Sequence, residues 1–321
     1  MGMGRTEENA LTVSIEDLND DRVFLMWGLT EEGKPIQPYY QRYIGEETEC
    51  WFFGCGLGEQ TMFIQLGTCF LEMVDEGNDP KLGRIMFSVG HGLMAFQPYK
   101  GDHNVIWAWA MRPNQIDPYL KEMDCRPDLF LSRQKEINAI IETRGIKTSL
   151  ISAGVNPKHF FPMNKPREGI GFCGIDSKGE EQKRIVIEPA RAYSFEWLNK
   201  TRDDFRSVRE LNEWYNTKQI ALGMLGKTRQ VCSYIPTRVF ETLSSETPLI
   251  IFKLYEFEEN MGFDYPYQTT SAKQTKYWID YILDDYDSVQ KEIGKYAKII
   301  REKYNYKNTL SVIFEALEDK K

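Results

Sequence analysis

Short apolar segments alternate with longer segments of helical period along most of the 321-residue chain. The apolar segments predict strands at 23–27, 50–53, 84–89, 105–109, 128–131, 147–151, 169–173, 218–222 and 248–252. Apolar residues that recur every three or four positions predict helices at 59–75, 132–144, 180–198, 206–214, 237–244 and 273–302. Because strands and helices alternate, we predict an α/β fold with parallel sheets that carry helices on both faces.

A proline-rich segment divides the chain in its middle. Pro157, Pro162 and Pro166 rule out a long helix there, and the apolar pair Phe160-Phe161 can anchor a crossing chain. A new strand, turn and helix are predicted directly after this segment. We therefore predict a first domain at 1–153, a linker at 154–167 and a second domain at 168–321.

Composition limits the class of protein. Hydrophobic residues make up 41% and charged residues 27%, the balance of a soluble globular protein, and the net charge is −8. That charge argues against a protein that holds nucleic acid mainly through a basic surface, although a local basic groove is compatible with it. Six cysteines without a CxxC pair, together with three histidines, indicate structural thiols in a reducing compartment rather than a zinc site.

The ends of the chain and its apolar segments suggest where it works. The N-terminus lacks the apolar core of a signal peptide, and no run of 18 apolar residues is found. We expect no membrane span and a cytoplasmic location.

Five segments, in order along the chain, resemble motifs of group 1 glycosyltransferases. Residues 152–162, Ser-Ala-Gly-Val-Asn-Pro-Lys-His-Phe-Phe-Pro, are similar to the interdomain linker of that family. Residues 235–250, Ile-Pro-Thr-Arg-Val-Phe-Glu-Thr-Leu-Ser-Ser-Glu-Thr-Pro-Leu-Ile, resemble P-x-R-x-F-E-A-x-A-x-G-x-P-L-I in its spore-protein-like branch. Residues 127–142, 169–174 and 303–317 resemble the last N-domain strand and helix, the first strand and turn of the nucleotide-binding domain, and the closing helix. The resemblance covers about 125–318.

The resemblance implies a GT-B fold, in which two Rossmann-like domains face each other across a cleft and the C-terminal helix crosses back to the N-domain. The first domain would take the acceptor, a hydroxyl group of a glycan, lipid, small molecule or modified DNA base. The second would bind a nucleotide sugar, a UDP- or GDP-sugar, as co-substrate, with no other cofactor and no metal. Sugar transfer to modified bases in DNA, as in some compact phage enzymes, and a non-catalytic nucleotide-sugar-binding protein remain as alternatives.

The donor site is predicted around the match at 235–250. Glu241, early in a helix that follows a strand, can accept hydrogen bonds from the two ribose hydroxyls, as the matching glutamate of the family does. Arg238, one turn earlier, can pair with Glu241 or reach a phosphate. Thr237 is predicted as the N-cap that leaves backbone N–H groups free for the diphosphate.

Basic residues near two turns are candidates for stabilising the departing diphosphate, on which negative charge accumulates in the transition state. Lys178, Lys183 and Arg184 follow the turn at Gly174, and surface charge is the alternative interpretation for each. Residues 227–229, Lys-Thr-Arg, form a second candidate group.

Two positions depart from the family's pattern. Ser233 stands where many relatives have a second glutamate, and Glu246 stands where glycine is usual. Both are expected to affect contacts with the sugar ring.

In the first domain, His91 follows a predicted strand, at the end where acceptors bind in open α/β sheets. It is predicted to serve as a base or as a partner of a sugar hydroxyl, so the catalytic candidates are His91 and Arg238. Paired aspartates at 20–21, 203–204 and 284–285 lie in polar contexts and indicate solvated turns rather than metal ligands.

Overall fold

The structure, a computed structural model, divides the chain into two compact units. Unit 1 contains residues 1–150 and 310–321, and unit 2 contains residues 151–309. The residues that it describes are 11–12, 23–29, 35–54, 57–90, 101–108, 111–122, 126–174, 179–198, 208–225, 235–254 and 256–319. Each unit has its own sheet, which confirms the predicted α/β class with two separate domains.

The described strands of unit 1 form one eight-stranded sheet in sequential order, β1 to β8. They are β1 (Leu11–Thr12), β2 (Val23–Leu29), β3 (Pro35–Ile44), β4 (Thr48–Gly54), β5 (Gly83–Gly90), β6 (His103–Ala108), β7 (Leu129–Ser132) and β8 (Lys147–Leu150). Its helices are α1 (Leu57–Asp75), α2 (Ile116–Glu122) and α3 (Lys135–Glu142).

The prediction of parallel sheets holds for the second half of this sheet and is wrong for its beginning. Strands β1 to β4 are antiparallel, and only β4 to β8 are parallel. Strand β3 was not predicted because Pro35 and Pro38 give it the appearance of a loop. A register shift between Met26 and Gly28 of β2 lies opposite the segment around Pro38, which is how an antiparallel pair accommodates a residue without an N–H group.

Aromatic packing joins the sheet of unit 1 to α1 and to the end of the chain. Phe52 of β4 lies 5.2 Å from Phe63 of α1, between ring centroids. Helix α10 (Tyr306–Glu318) brings Phe314 to 6.2 Å from Phe70 of α1. Because Leu310 and the residues after it belong to unit 1, the C-terminal helix returns to the first domain as predicted.

Unit 2 is a doubly wound sheet of five described strands, all parallel, in the order β10-β9-β11-β12-β13. The strands are β9 (Ile170–Cys173), β10 (Phe195–Leu198), β11 (Ile220–Gly223), β12 (Leu249–Phe252) and β13 (Gln268–Thr269). Its helices are α4 (Glu180–Gln182), α5 (Val208–Asn216), α6 (Thr237–Ser244), α7 (Phe257–Met261), α8 (Ala272–Asp284) and α9 (Tyr286–Lys303). Strands β9 and β11 are buried along their whole length, as expected for central strands with helices on both faces.

Two predicted helices differ in the structure. The helix predicted at 180–198 is α4 followed by a π-helical turn (Lys183–Ile187), a 3-10 turn (Glu188–Ala192) and strand β10. Pro189, inside the 3-10 turn, explains why a regular α-helix does not continue to 198, because a proline cannot continue an α-helical hydrogen-bond ladder. The helix predicted at 273–302 is interrupted at Asp285, whose φ of −132° is not helical, although the apolar pattern continues in phase across it.

The segment predicted as a linker is held to unit 2 by two buried asparagines of α5. The Asn216 amide donates to the Phe161 carbonyl at 3.0 Å and accepts from the Met163 N–H at 2.7 Å. Asn212 accepts from the Phe161 N–H at 3.3 Å. The Phe160 ring is completely buried beside Tyr215, 6.2 Å between centroids. These bonds satisfy the backbone polar groups of a segment that has no regular structure of its own.

Candidate functional site in unit 2

The strand order of unit 2 creates a crevice between β9 and β11. In a sheet of order 2-1-3-4-5, the first and third strands are neighbours whose following connections leave toward opposite faces. Ligands of open α/β sheets bind in the crevice outside the carboxyl ends of these strands. The pairing of Phe172 with Leu222 places the ends of both strands at the same level, so Cys173-Gly174 and Gly223-Met224-Leu225 border the crevice.

Arg238, in the first turn of α6, lies at the end of β9. Its Nη2 donates to the carbonyl oxygen of Cys173, and its guanidinium carbon lies 5.1 Å from the centroid of the Phe172 ring. Its Nε has no hydrogen-bond partner among the described residues. A guanidinium presents five donors in a planar fork, so an anion at the crevice could still be bound by this side chain.

Gly174 makes room for this arrangement. A Cβ atom at this position would lie 2.7 Å from Cζ of Phe172 and 3.0 Å from Nη2 of Arg238. The Gly174 N–H donates to the Leu198 carbonyl at 3.0 Å, and its carbonyl accepts from Trp197 Nε1 at 3.1 Å. Its backbone N–H is therefore engaged within the sheet, and its contribution to a donor site would be steric.

Glu241 lies one turn after Arg238 on α6 and is only 1% exposed. Burial first, and then the negative charge of Glu241, raise the pKa of the Tyr215 phenol, while the positive charge of Arg238 opposes the shift. A guanidinium and a carboxylate one turn apart on α6 thus both act electrostatically on this buried phenol.

The N-cap prediction for Thr237 is wrong. Pro236, with extended backbone (ψ 145°), is the N-cap, and Thr237 is the first residue of α6. The carbonyl of Pro236 accepts from the Val239 N–H at 2.9 Å, and no side chain of a described residue caps the helix at this position.

A residue that the sequence did not single out, Gln182, also borders the crevice. It is 3% exposed, and its Oε1 accepts from the backbone N–H of Leu225 at 2.7 Å. The bond connects the helix that follows β9 to the chain that follows β11. A glutamine in a short polar segment carries no local signal for such a role, because its partner is distant in sequence.

The basic candidates after β9 differ from one another. Lys183 pairs with Glu180 at 2.9 Å, and Arg184 is exposed at the start of the π-helical turn. Lys178 and residues 227–229 lie outside the described residues. The same holds for Ser233, one of the two positions that depart from the family's pattern, and for His91 of the first domain. Their predicted roles stay predictions.

Glu246 terminates α6. It adopts a left-handed backbone (φ 55°), its N–H donates to Leu243 at 2.9 Å, and the Thr247 N–H donates to Thr242 at 3.1 Å. This is the Schellman arrangement, in which glycine is the usual residue. The Glu246 carboxylate is bound by Arg301 of α9 at 2.8 Å, so this departure from the family's pattern serves the end of the helix.

Metal-ligating groups and membrane-spanning helices were also sought. In the described parts of the chain, no three His, Cys, Asp or Glu side chains come together as a metal site requires. None of the described helices is both long and apolar enough to cross a membrane.

Comparison with known proteins gives structural similarity only. No protein-family model and no curated protein sequence matches the chain. A point mutant of TarM from S. aureus, in complex with fondaparinux, alpha-GlcNAc-glycerol and UDP, is similar with a TM-score of 0.47 and 11% identity, over 92% of this chain and 66% of that chain. A crystal structure of TarM gives 0.46 and 13%, over 97% and 67%. A putative UDP-N-acetylglucosamine 2-epimerase from Listeria monocytogenes gives 0.40 and 12%, over 83% and 82%. The chain thus spans about two thirds of the length of the TarM chains.

Proposed function

We propose that the protein is a nucleotide-sugar-dependent glycosyltransferase of the GT-B kind whose unit 2 binds the donor at the crevice between β9 and β11. The observation that carries the proposal is Arg238, at the switch point of a doubly wound sheet, whose Nε has no partner in the described part of the chain. A cation at this point of such a sheet suits the diphosphate of a nucleotide.

Arg238 would stabilise the leaving nucleoside diphosphate. In transfer of the sugar, negative charge accumulates on the β-phosphate as the bond to the anomeric carbon breaks. A guanidinium held by the Cys173 carbonyl and the Phe172 ring is already oriented, so little reorganisation is needed when that charge develops. The first backbone N–H groups of α6 would add to this effect, because the N-terminus of a helix favours anions.

Glu241 would hold the ribose. Residues three apart share one face of a helix, so Glu241 and Arg238 address the same side of α6. Ribose hydroxyls would donate to the carboxylate in a site from which water is excluded, where charge-assisted hydrogen bonds are strong. The acceptor hydroxyl would lie on unit 1, with His91 as the proposed base, and no metal ion takes part in the proposed reaction.

Calorimetry with UDP and GDP tests the donor site. Glu241→Ala and Arg238→Met should each weaken binding by about 1.5–3 kcal/mol, the value of a hydrogen bond to a charged group. Glu241→Gln keeps the buried volume, so it separates loss of the carboxylate's charge from loss of packing.

Arg167 provides the matched control. It is also partly buried in unit 2, but its donors are bonded to Thr247, Asn216 and the Ser245 carbonyl. Arg167→Met should lower stability and leave nucleotide affinity unchanged. Equal affinity in the wild type, Glu241→Ala and Arg238→Met would refute the donor site, and absence of both sugar transfer and donor hydrolysis with UDP- and GDP-sugars would favour a non-catalytic binding protein.

A further inference from the structure

Two glutamines of unit 2 accept from a backbone N–H just after a strand, but only one of them, among the described residues, also has a partner for its side-chain nitrogen. Gln268 accepts from the Leu254 N–H, just after β12, at 2.9 Å, and its Nε2 donates to the Tyr265 carbonyl at 3.1 Å. Gln182 accepts in the same way from the Leu225 N–H, just after β11, at 2.7 Å. Its Nε2 is buried and has no hydrogen-bond partner among the described residues.

The identity of the unpaired atom follows from chemistry. A backbone N–H can only donate, so the amide atom that faces Leu225 must be the oxygen, and the other must be the nitrogen. The unpaired group is therefore a donor of two hydrogen atoms. A buried donor left unpaired is costly, which makes an acceptor on a ligand its natural partner.

Gln182 lies where a nucleotide would bind. Its helix follows β9, its partner Leu225 follows β11, and these two strands border the crevice that also contains Arg238.

We propose that Gln182 Nε2 donates to an exocyclic carbonyl oxygen of the base, and that it thereby selects the base of the donor; this rests on the proposed function. The local charge favours a base over a phosphate. Glu180 and Glu181 occupy the same first turn as Gln182, and Lys183, the next residue, is bonded to Glu180. A neutral amide beside carboxylates suits a neutral acceptor, whereas Arg238 suits the diphosphate.

Base preference follows from the direction of this bond. Uracil and guanine carry a carbonyl oxygen where cytosine and adenine carry an amino group, which is itself a donor. A donor in the site can bond to the carbonyl oxygen of uracil or guanine, but it faces another donor in cytosine or adenine. Such a mismatch discriminates strongly between the two kinds of base. The protein should therefore bind UDP more tightly than CDP, and GDP more tightly than ADP.

Competition binding of UDP, CDP, GDP and ADP at about pH 8 to the full chain and its Gln182→Glu variant tests this inference. In the variant, one carboxylate oxygen can still accept from the Leu225 N–H. The other presents an acceptor to the base, where the amide of Gln182 presents a donor. The ratio of UDP to CDP affinity should fall by roughly 5- to 100-fold in the variant. Gln182→Met, which is uncharged and of similar size, should bring the ratio close to one.

Gln268→Glu is the matched control, since it should lower stability through the Tyr265 carbonyl and leave the ratio unchanged. An unchanged ratio in folded Gln182→Glu and Gln182→Met would overturn the inference while the donor site stands. An equal loss for all four nucleotides, with a parallel loss for inorganic pyrophosphate, would overturn it in favour of a phosphate contact. A wild-type protein that binds none of the four would remove the proposed function itself and the inference with it.

Discussion

Replacing Glu246 tests how much the left-handed backbone at this position costs in stability and how much its ion pair with Arg301 contributes. Glu246 has a φ of 55°, and its carboxylate is 2.8 Å from Arg301, with both side chains 25% exposed. Glycine would adopt the left-handed backbone without strain but would lose the ion pair. Alanine would lose the ion pair and retain the strain.

The magnitudes separate the two variants. A left-handed L-residue costs about 1–2 kcal/mol, and glycine loses about 0.5–1 kcal/mol through the greater entropy of its unfolded chain. The bond to Arg301, partly screened by water, contributes about 1 kcal/mol. Glu246→Ala should therefore be less stable than the wild type by about 1 kcal/mol, because it loses the ion pair and keeps the strain. In Glu246→Gly the relief of strain nearly cancels the losses of the ion pair and of chain entropy, so this variant should stay within about 0.5 kcal/mol of the wild type.

Urea denaturation of the full chain, followed by tryptophan fluorescence, measures these differences. Repeating both substitutions with Arg301→Met removes the ion pair from every member of the series. In that series the protein with glycine at position 246 should be more stable than the protein with glutamate, because only the difference in backbone conformation remains. If alanine is as stable as glycine in both backgrounds, the left-handed backbone is not the cost that we assign to it.

Three further predictions concern the linker, the sheet of unit 1 and the reaction. Asn216→Ala should lower the free energy of unfolding by about 2–4 kcal/mol, because the Phe161 carbonyl and the Met163 N–H would lose their partner; a loss below about 0.5 kcal/mol in urea denaturation would contradict this. Burial raises the pKa of Glu49, but hydrogen bonds, chiefly from Arg42, hold it below 4.5 overall. The resulting stabilisation is present above pH 4.5 and is lost as the pH falls through the lower folded-state pKa, so an acid titration of stability should be flatter in Glu49→Gln. Sugar transfer or donor hydrolysis should persist in excess EDTA, and a complete loss restored only by Mn²⁺ or Mg²⁺ would reveal a metal site.

The parts of the fold that could be predicted are those determined by contiguous residues. Helix α6 has the predicted bounds because its apolar positions repeat at helical spacing between a proline and a left-handed turn. The strands of unit 2 that were predicted are buried on both faces, which leaves an uninterrupted apolar segment. Strand β10 was missed because it is half-buried and follows directly on helical turns, so that the apolar period changes without a polar interval.

The candidate site divides in the same way. Arg238 lies in a segment whose sequence pattern is continuous, and the Cys173 carbonyl that fixes it follows from where that segment docks on the sheet. Gln182 acquires its role only when β11 pairs with β9, which brings Leu225, 43 positions later in the chain, to its side-chain oxygen. Pairing between distant strands is decided by the packing of the whole sheet, and no local pattern records it. The role that we propose for Gln182 is consequently visible only in the folded chain, as a buried polar atom to which the described residues supply no partner.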